Sequence, residues 1–205
     1  RDCSVKDTIN STRMLKMNGY KVDWHLMPDL PGSSYEKDME MFRKLFSVIK
    51  KINYSETHTI YQLEYPELQA DQLKIYPCTT VDFTLIKEWY EKGIYKPYSE
   101  NEEKLIEVIM YIKKNIFPWI RLNRIIRDIP NINILGGNSN VNLRQVAIQR
   151  MKQEGCECQC IRCREIKGNQ SNLNESLLFI DEYNDSNATE YFIHCSSPHL
   201  QSMYG

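Results

Sequence analysis

No apolar run in this chain approaches the roughly 20 residues needed to cross a bilayer, so the sequence gives no sign of a membrane partner. No secretory signal is visible where it opens on RDCSVKD. An excess of one charge is also missing. With 26 basic against 27 acidic residues, the net charge neither demands nor excludes a nucleic-acid partner, because a local basic patch can sit on a neutral protein. Internal repeats and coiled-coil heptads are absent. Cysteine is thin over most of the chain: Cys3, Cys78 and Cys195 stand singly. An odd total of seven argues for a reducing compartment rather than a disulfide framework.

What is present is concentrated. Cys156, Cys158, Cys160 and Cys163 fall within the single stretch CECQCIRCRE. Cysteines so close in sequence rarely pair with one another, because the Cα separation and Cβ directions of a disulfide are hard to meet. Thiolates are soft ligands, and zinc gathers several at one centre. The stretch therefore reads either as a metal knot or as a reduced, metal-free loop.

The pattern along the chain is α/β. SVKDTINSTRMLKMN (4–18) predicts a helix opened by a Ser4/Asp7 capping box and stopped by Gly19. YKVDWHL alternates as a strand and ends at the turn MPDLPG. SSYEKDMEMFRKLFSVIKKI (33–52) predicts one amphipathic helix. DQLKIYP (71–77) is a second strand, followed by the helical TLIKEWYEKG. A helix from Ser99 to Phe117 carries Leu105, Ile109, Ile112 and Ile116 on one stripe, with Ser99 and Glu102 at capping-box spacing. PWIRLNRIIRDIP (118–130) is a third strand, and VNLRQVAIQRMKQEG a helix ended by Gly155. Strands alternating with helices imply a parallel sheet whose working face lies beyond the strands' carboxyl ends. Residues 53–70 read as a long inserted connection and 167–175 as a linker. SLLFIDEYNDSNATEYFIHCSS then reads as two strands joined by an Asn/Asp turn, and so as a change of style and a domain boundary.

Five motifs in this order, HLMPDLPG, LKIYP, RIIRDIP, NLR opening a helix, and CxCIRCRE, resemble the catalytic subunit of Elongator and its archaeal, bacterial and viral homologues. That family joins a radical S-adenosylmethionine barrel to a GNAT-type acetyltransferase domain and builds a carboxymethyl group on C5 of the wobble uridine of tRNA. The resemblance implies the C-terminal part of a TIM-like, partial βα barrel over 1–150, a zinc-binding knot over 151–170, and the first strands of the acetyltransferase domain over 171–205. It implies acetyl-CoA, S-adenosylmethionine and a 4Fe-4S cluster as cofactors, tRNA and Elongator-type subunits as partners, and a cytoplasmic or also nuclear location. The family's iron–sulfur cysteine triplet and its Gly-rich acetyl-CoA loop are both missing here. The chain thus resembles a middle slice, and these residues alone are not expected to catalyse the reaction. The alternative is a non-catalytic, zinc-stabilised tRNA-binding module, with an interaction domain lacking any RNA role as a third reading.

The family's C-x-C-x-x-C maps onto Cys158, Cys160 and Cys163 as zinc ligands, with Cys156, His194 or His199 open as the fourth. Asp29, Lys74 and Tyr76 are the catalytic candidates. Asp29 sits at a strand's carboxyl end. Lys74 and Tyr76 are two apart on a strand, on a face that branched apolar residues normally fill in a barrel. His25 reads as a packed core histidine. Arg121, Arg124, Arg127, Arg144, Arg162 and Arg164 are the candidates for phosphate contact, against the alternative of surface pairing with Asp128 and Glu165. Arg144 lies in the first turn of its helix, where the dipole disfavours a cation, so an anionic partner is expected beside it.

Overall fold

The computed structural model describes residues 3–166, 173–186 and 188–205. Helix α1 spans Val5–Met17, and its Ser4/Asp7 box forms as predicted: Asp7 N donates to Ser4 Oγ at 3.2 Å and Ser4 N to Asp7 Oδ2 at 2.8 Å. Strand β1 is Asp23–Leu26, and α2 is Tyr35–Leu45. The predicted helix over 33–52 is therefore too long. Its last residues, Val48–Asn53, are strand β2, which turns back to pair antiparallel with β3, His58–Leu63. VIKKI suits either state by pattern, and the hydrogen bonds offered by β3 decide it. The same pairing corrects the reading of 53–70 as a loop.

Strand β4 is Gln72–Ile75 and β5 only Thr80–Val81, before helix α3 at Leu85–Glu91. Helix α4 runs Glu102–Asn115 and is capped by Asn101, whose Oδ1 accepts from Glu103 N at 3.2 Å. Ser99 does not open this helix. It belongs to a separate 3-10 turn at Tyr98–Glu100, and Glu102 accepts instead from the Asn138 and Asn140 amides at 3.2 Å. Strand β6 is only Arg121–Arg124, β7 is Ile134–Gly136, and α5 is Leu143–Gln153, ended by Gly155 at φ 69°. A short helix α6 covers Ile161–Arg164, and β8 (Leu177–Asn184) and β9 (Thr189–Ser196) form the expected hairpin. Most of the predicted 167–175 linker lies outside the described residues.

Strands β1, β4 and β6 make one parallel sheet in that order, as the alternation of elements requires. Its inner face gives Leu73, Ile75 and Leu122 to the core, where Leu105, Ile106 and Ile109 of α4 meet them. The second sheet has the order β2-β3-β8-β9, with β3 and β8 parallel, so residues from both halves of the chain share it. Aromatic rings join the two sheets: Trp119 stacks on Phe117 at 4.6 Å and on Tyr183 at 4.0 Å, with Tyr61 edge-on at 4.9 Å. Beneath that cluster, α4 and α5 pack side by side and deliver their ends to the cysteine loop.

Candidate metal centre and polar sheet face

Helix α4 buries Leu105, Ile106, Val108, Ile109, Met110 and Ile112, and the next residue is Lys113, itself 0% exposed. Its ammonium reaches the loop after α5. There Cys156 N closes α5 onto Met151 O at 2.8 Å, and Ile161 N ties α6 to Ile120 O at 3.1 Å. Between these anchors the sulfurs of Cys158, Cys160 and Cys163 lie within 4.8 Å of one another. A tetrahedral thiolate site with arms of about 2.3 Å needs sulfurs roughly 3.8 Å apart. The three are thus already gathered near the required spacing, and the donor set fits a soft divalent ion.

Electrostatics divide the thiols. Cys158 and Cys160 hydrogen-bond toward Cys163, and Lys113 and Arg144 add positive charge, so the Cys163 thiol is held far below its ordinary pKa. Cys158 is pushed far above by its hydrogen bonds to the other two sulfurs and by burial. Lys113 Nζ stands 3.4 Å from Cys163 Sγ, and Arg144 Nη1 stands 3.9 Å from it. Arg144 Nη2 donates to Leu122 O at 2.6 Å. The anionic partner expected beside Arg144 is therefore a cysteine sulfur of the same chain. Cys156 is outside the trio, and its thiol donates to Glu154 O at 3.6 Å. His194 is occupied elsewhere, between Ser196 Oγ at 2.7 Å and Asp181 Oδ2 at 3.2 Å, and His199 is not among the grouped ligands.

The six arginines do not form one patch. Arg164 is 3% exposed and donates to Gln159 O and Pro118 O, both at 2.8 Å, so this side chain is a strut of the cysteine loop and not a surface cation. Arg162 bonds Asn123 O. Arg121 pairs with Glu165 at 2.7 Å, and Arg124 with Asp128 at 3.3 Å. Arg127 is exposed and lies over the Tyr76 ring at 5.9 Å.

Asp29, at φ 67° and 2% exposed, binds inward. Its carboxylate accepts from Tyr98 N at 2.9 Å and Ser99 N at 3.0 Å, capping the 3-10 turn, and its carbonyl accepts from the Tyr95 hydroxyl at 2.6 Å. Asp38 completes the knot by accepting from Asp29 N at 2.6 Å and from the Tyr98 hydroxyl at 2.9 Å. Burial raises the pKa of Asp29 against those hydrogen bonds. Lys74 and Tyr76 do share a face of β4 and its end, as their spacing requires. His25 is exposed on that same face, correcting its reading as a core residue. Lys74 Nζ lies 2.7 Å from Asp23 Oδ2 and 3.1 Å from His25 Nε2, and His25 meets Tyr76 edge-on at 5.6 Å. The outer face of the parallel sheet is therefore a polar wall.

Two residues escaped the sequence reading. Lys113 could have been found, because a lysine four residues after Ile109 interrupts an otherwise apolar stripe. His25 could not, because alternation alone does not say which face of a strand is wet.

Residues 70–153 match the radical SAM C-terminal domain family. The tRNA uridine(34) acetyltransferase of Methanocaldococcus jannaschii is 38% identical over 94% of this chain and 33% of its own length. Elongator complex protein 3 of Saccharomyces cerevisiae is 35% identical over 81% of this chain and 26% of its own. Among solved structures, the archaeal Methanocaldococcus infernus Elp3 with an N-terminal deletion superposes with a TM-score of 0.83 at 36% identity, over 99% of this chain and 45% of that one. The chain thus spans about a third of the length of the curated relatives it matches. Among the described residues, no helix is long and apolar enough to cross a membrane.

Proposed function

We propose, for a chain that is a homologue of part of the tRNA uridine(34) acetyltransferases and of Elongator complex protein 3, that it serves the same chemistry: building a carboxymethyl group on C5 of the wobble uridine of tRNA. In this reading residues 1–150 are the C-terminal part of a radical SAM barrel and 151–170 a metal knot. Residues 171–205 begin the acetyltransferase domain. The observation that carries it is the gathering of three thiols between α5 and the β8–β9 hairpin, in a chain 38% identical to such an acetyltransferase over 94% of its length.

The metal of the knot is zinc, held by Cys158, Cys160 and Cys163. Three thiolates and no redox role suit zinc, and such a site adds folding free energy. Its place is structural, fixing α6 and the strut Arg164 against the end of α4. The polar wall supplies Lys74 and Tyr76 toward S-adenosylmethionine or substrate, with Asp29 holding the turn above them rather than meeting a ligand. Arg124 and Arg127, the two of the six candidate arginines that make no bond to the backbone or to the cysteine loop, meet tRNA phosphates. A 4Fe-4S cluster and acetyl-CoA belong to the reaction of the whole protein. Among the described residues the one group of three or more neighbouring metal-type ligands is Cys158, Cys160 and Cys163. Elongator-type subunits are the protein partners in this reading.

The test is a reaction of the protein carrying this chain with tRNA, acetyl-CoA and S-adenosylmethionine, read by mass spectrometry of the wobble nucleoside. A carboxymethylated uridine is expected. Salt-sensitive tRNA binding without product would select the non-catalytic RNA-binding module instead, and neither would remove both readings.

A further inference from the structure

We infer that Lys113 is a positioning residue of the metal centre: its buried ammonium, with Arg144 beside it, balances the charge that three thiolates leave on one divalent ion. This rests on the metal-binding reading above. Three thiolates and one divalent cation sum to one negative charge; with Cys160 buried, Cys158 half-buried and Cys163 exposed, a cation standing next to this partly buried centre offsets the cost of desolvating it. Lys113 answers that need and has no other evident reason to be where it is. Its side chain is fully buried on the apolar stripe of α4, and among the described residues the partner of its ammonium is Cys163 Sγ at 3.4 Å. Its neighbour Lys114 shows the ordinary alternative: it stays near the surface and pairs with the Glu154 carboxylate. Arg144 contributes less, standing 3.9 Å from the same sulfur and sharing its other end with Leu122 O.

Both cations line an open cavity of about 620 Å³ against Cys158 and Cys163. Outer partners of this kind commonly change metal affinity about 10- to 100-fold when removed.

The experiment is a competition titration of zinc against a chromophoric chelator, on the wild-type protein and on K113M and K114M. K113M is expected to bind about 10- to 100-fold more weakly and K114M within about twofold of wild type. Cobalt loading adds a spectroscopic readout: the sulfur-to-cobalt charge-transfer band is expected to shift in K113M alone. If K113M does not fold, R144Q takes its place, with a weakening of several-fold expected. A wild type that binds zinc beside a folded K113M, or failing that an R144Q, of undiminished affinity overturns the role of these cations and leaves the metal reading standing. A wild type that binds no zinc overturns both.

Discussion

A buried polar cluster and a partly exposed one stand at opposite ends of helix α4, and they are satisfied in opposite ways. At the amino end Asp29 and Asp38 are closed by the chain itself: backbone amides of Asp29, Tyr98 and Ser99 and the Tyr98 hydroxyl meet their oxygens. At the carboxyl end three sulfurs and an ammonium have chiefly one another. A closed network of donors and acceptors marks a residue that holds the fold. A cluster of thiols with few other partners is the place where we propose that an ion binds, and such binding would add folding free energy. Asp29 and Cys163 are both candidate site residues: Asp29 is tied up by backbone amides within the fold, whereas Cys163 is proposed to hold a metal.

The widest separation between the two clusters should come from stripping the metal with a chelator. Free energies of about 10–16 kcal/mol attach to structural zinc in small domains. Amide exchange over 156–166 is therefore expected to accelerate by orders of magnitude, while the amides of Tyr98 and Ser99 keep their protection. Equal loss at both ends would erase the distinction. Next in size, Asp29→Ala removes the acceptor for two buried amides and is expected to cost about 2–4 kcal/mol in denaturant unfolding while leaving zinc affinity unchanged.

Acidity should move the two ends in opposite directions. Burial raises the Asp29 pKa, so its stabilising share is fully present below the pKa of the unfolded chain and is lost as pH rises through the folded value. Thiols must shed protons to hold a metal, so zinc affinity instead grows as pH rises. Unfolding of wild type against Asp29→Asn across roughly pH 3 to 7, beside zinc titrations at each pH, checks both slopes.

The contrast also shows how much could be read in advance. The α/β order, the parallel sheet, the Ser4/Asp7 cap, the Gly155 stop and the C-x-C-x-x-C spacing were all legible, because each is a local rule. The strand at Val48–Asn53 was not, since VIKKI fits a helix until β3 lies beside it. Strands β5 and β7 are too short to carry a period. Burial was the hardest to read. Nothing in RCRE says that Arg164 points inward and Arg162 onto a carbonyl, because that choice is made by the loop's path against Pro118 and Asn123.

The smallest effect belongs to the surface. Arg124→Gln with Arg127→Gln is expected to lower tRNA affinity and to reduce the slope of log affinity against log salt by about one for each phosphate no longer neutralised. An unchanged slope would move the RNA-binding surface away from the end of β6.

Metal analysis of the purified protein beside its C158S/C160S/C163S variant tests the role of the sulfur cluster most directly. About one zinc per wild-type chain and none in the variant is the predicted result. A wild type free of zinc, or a variant that keeps it, would contradict the account.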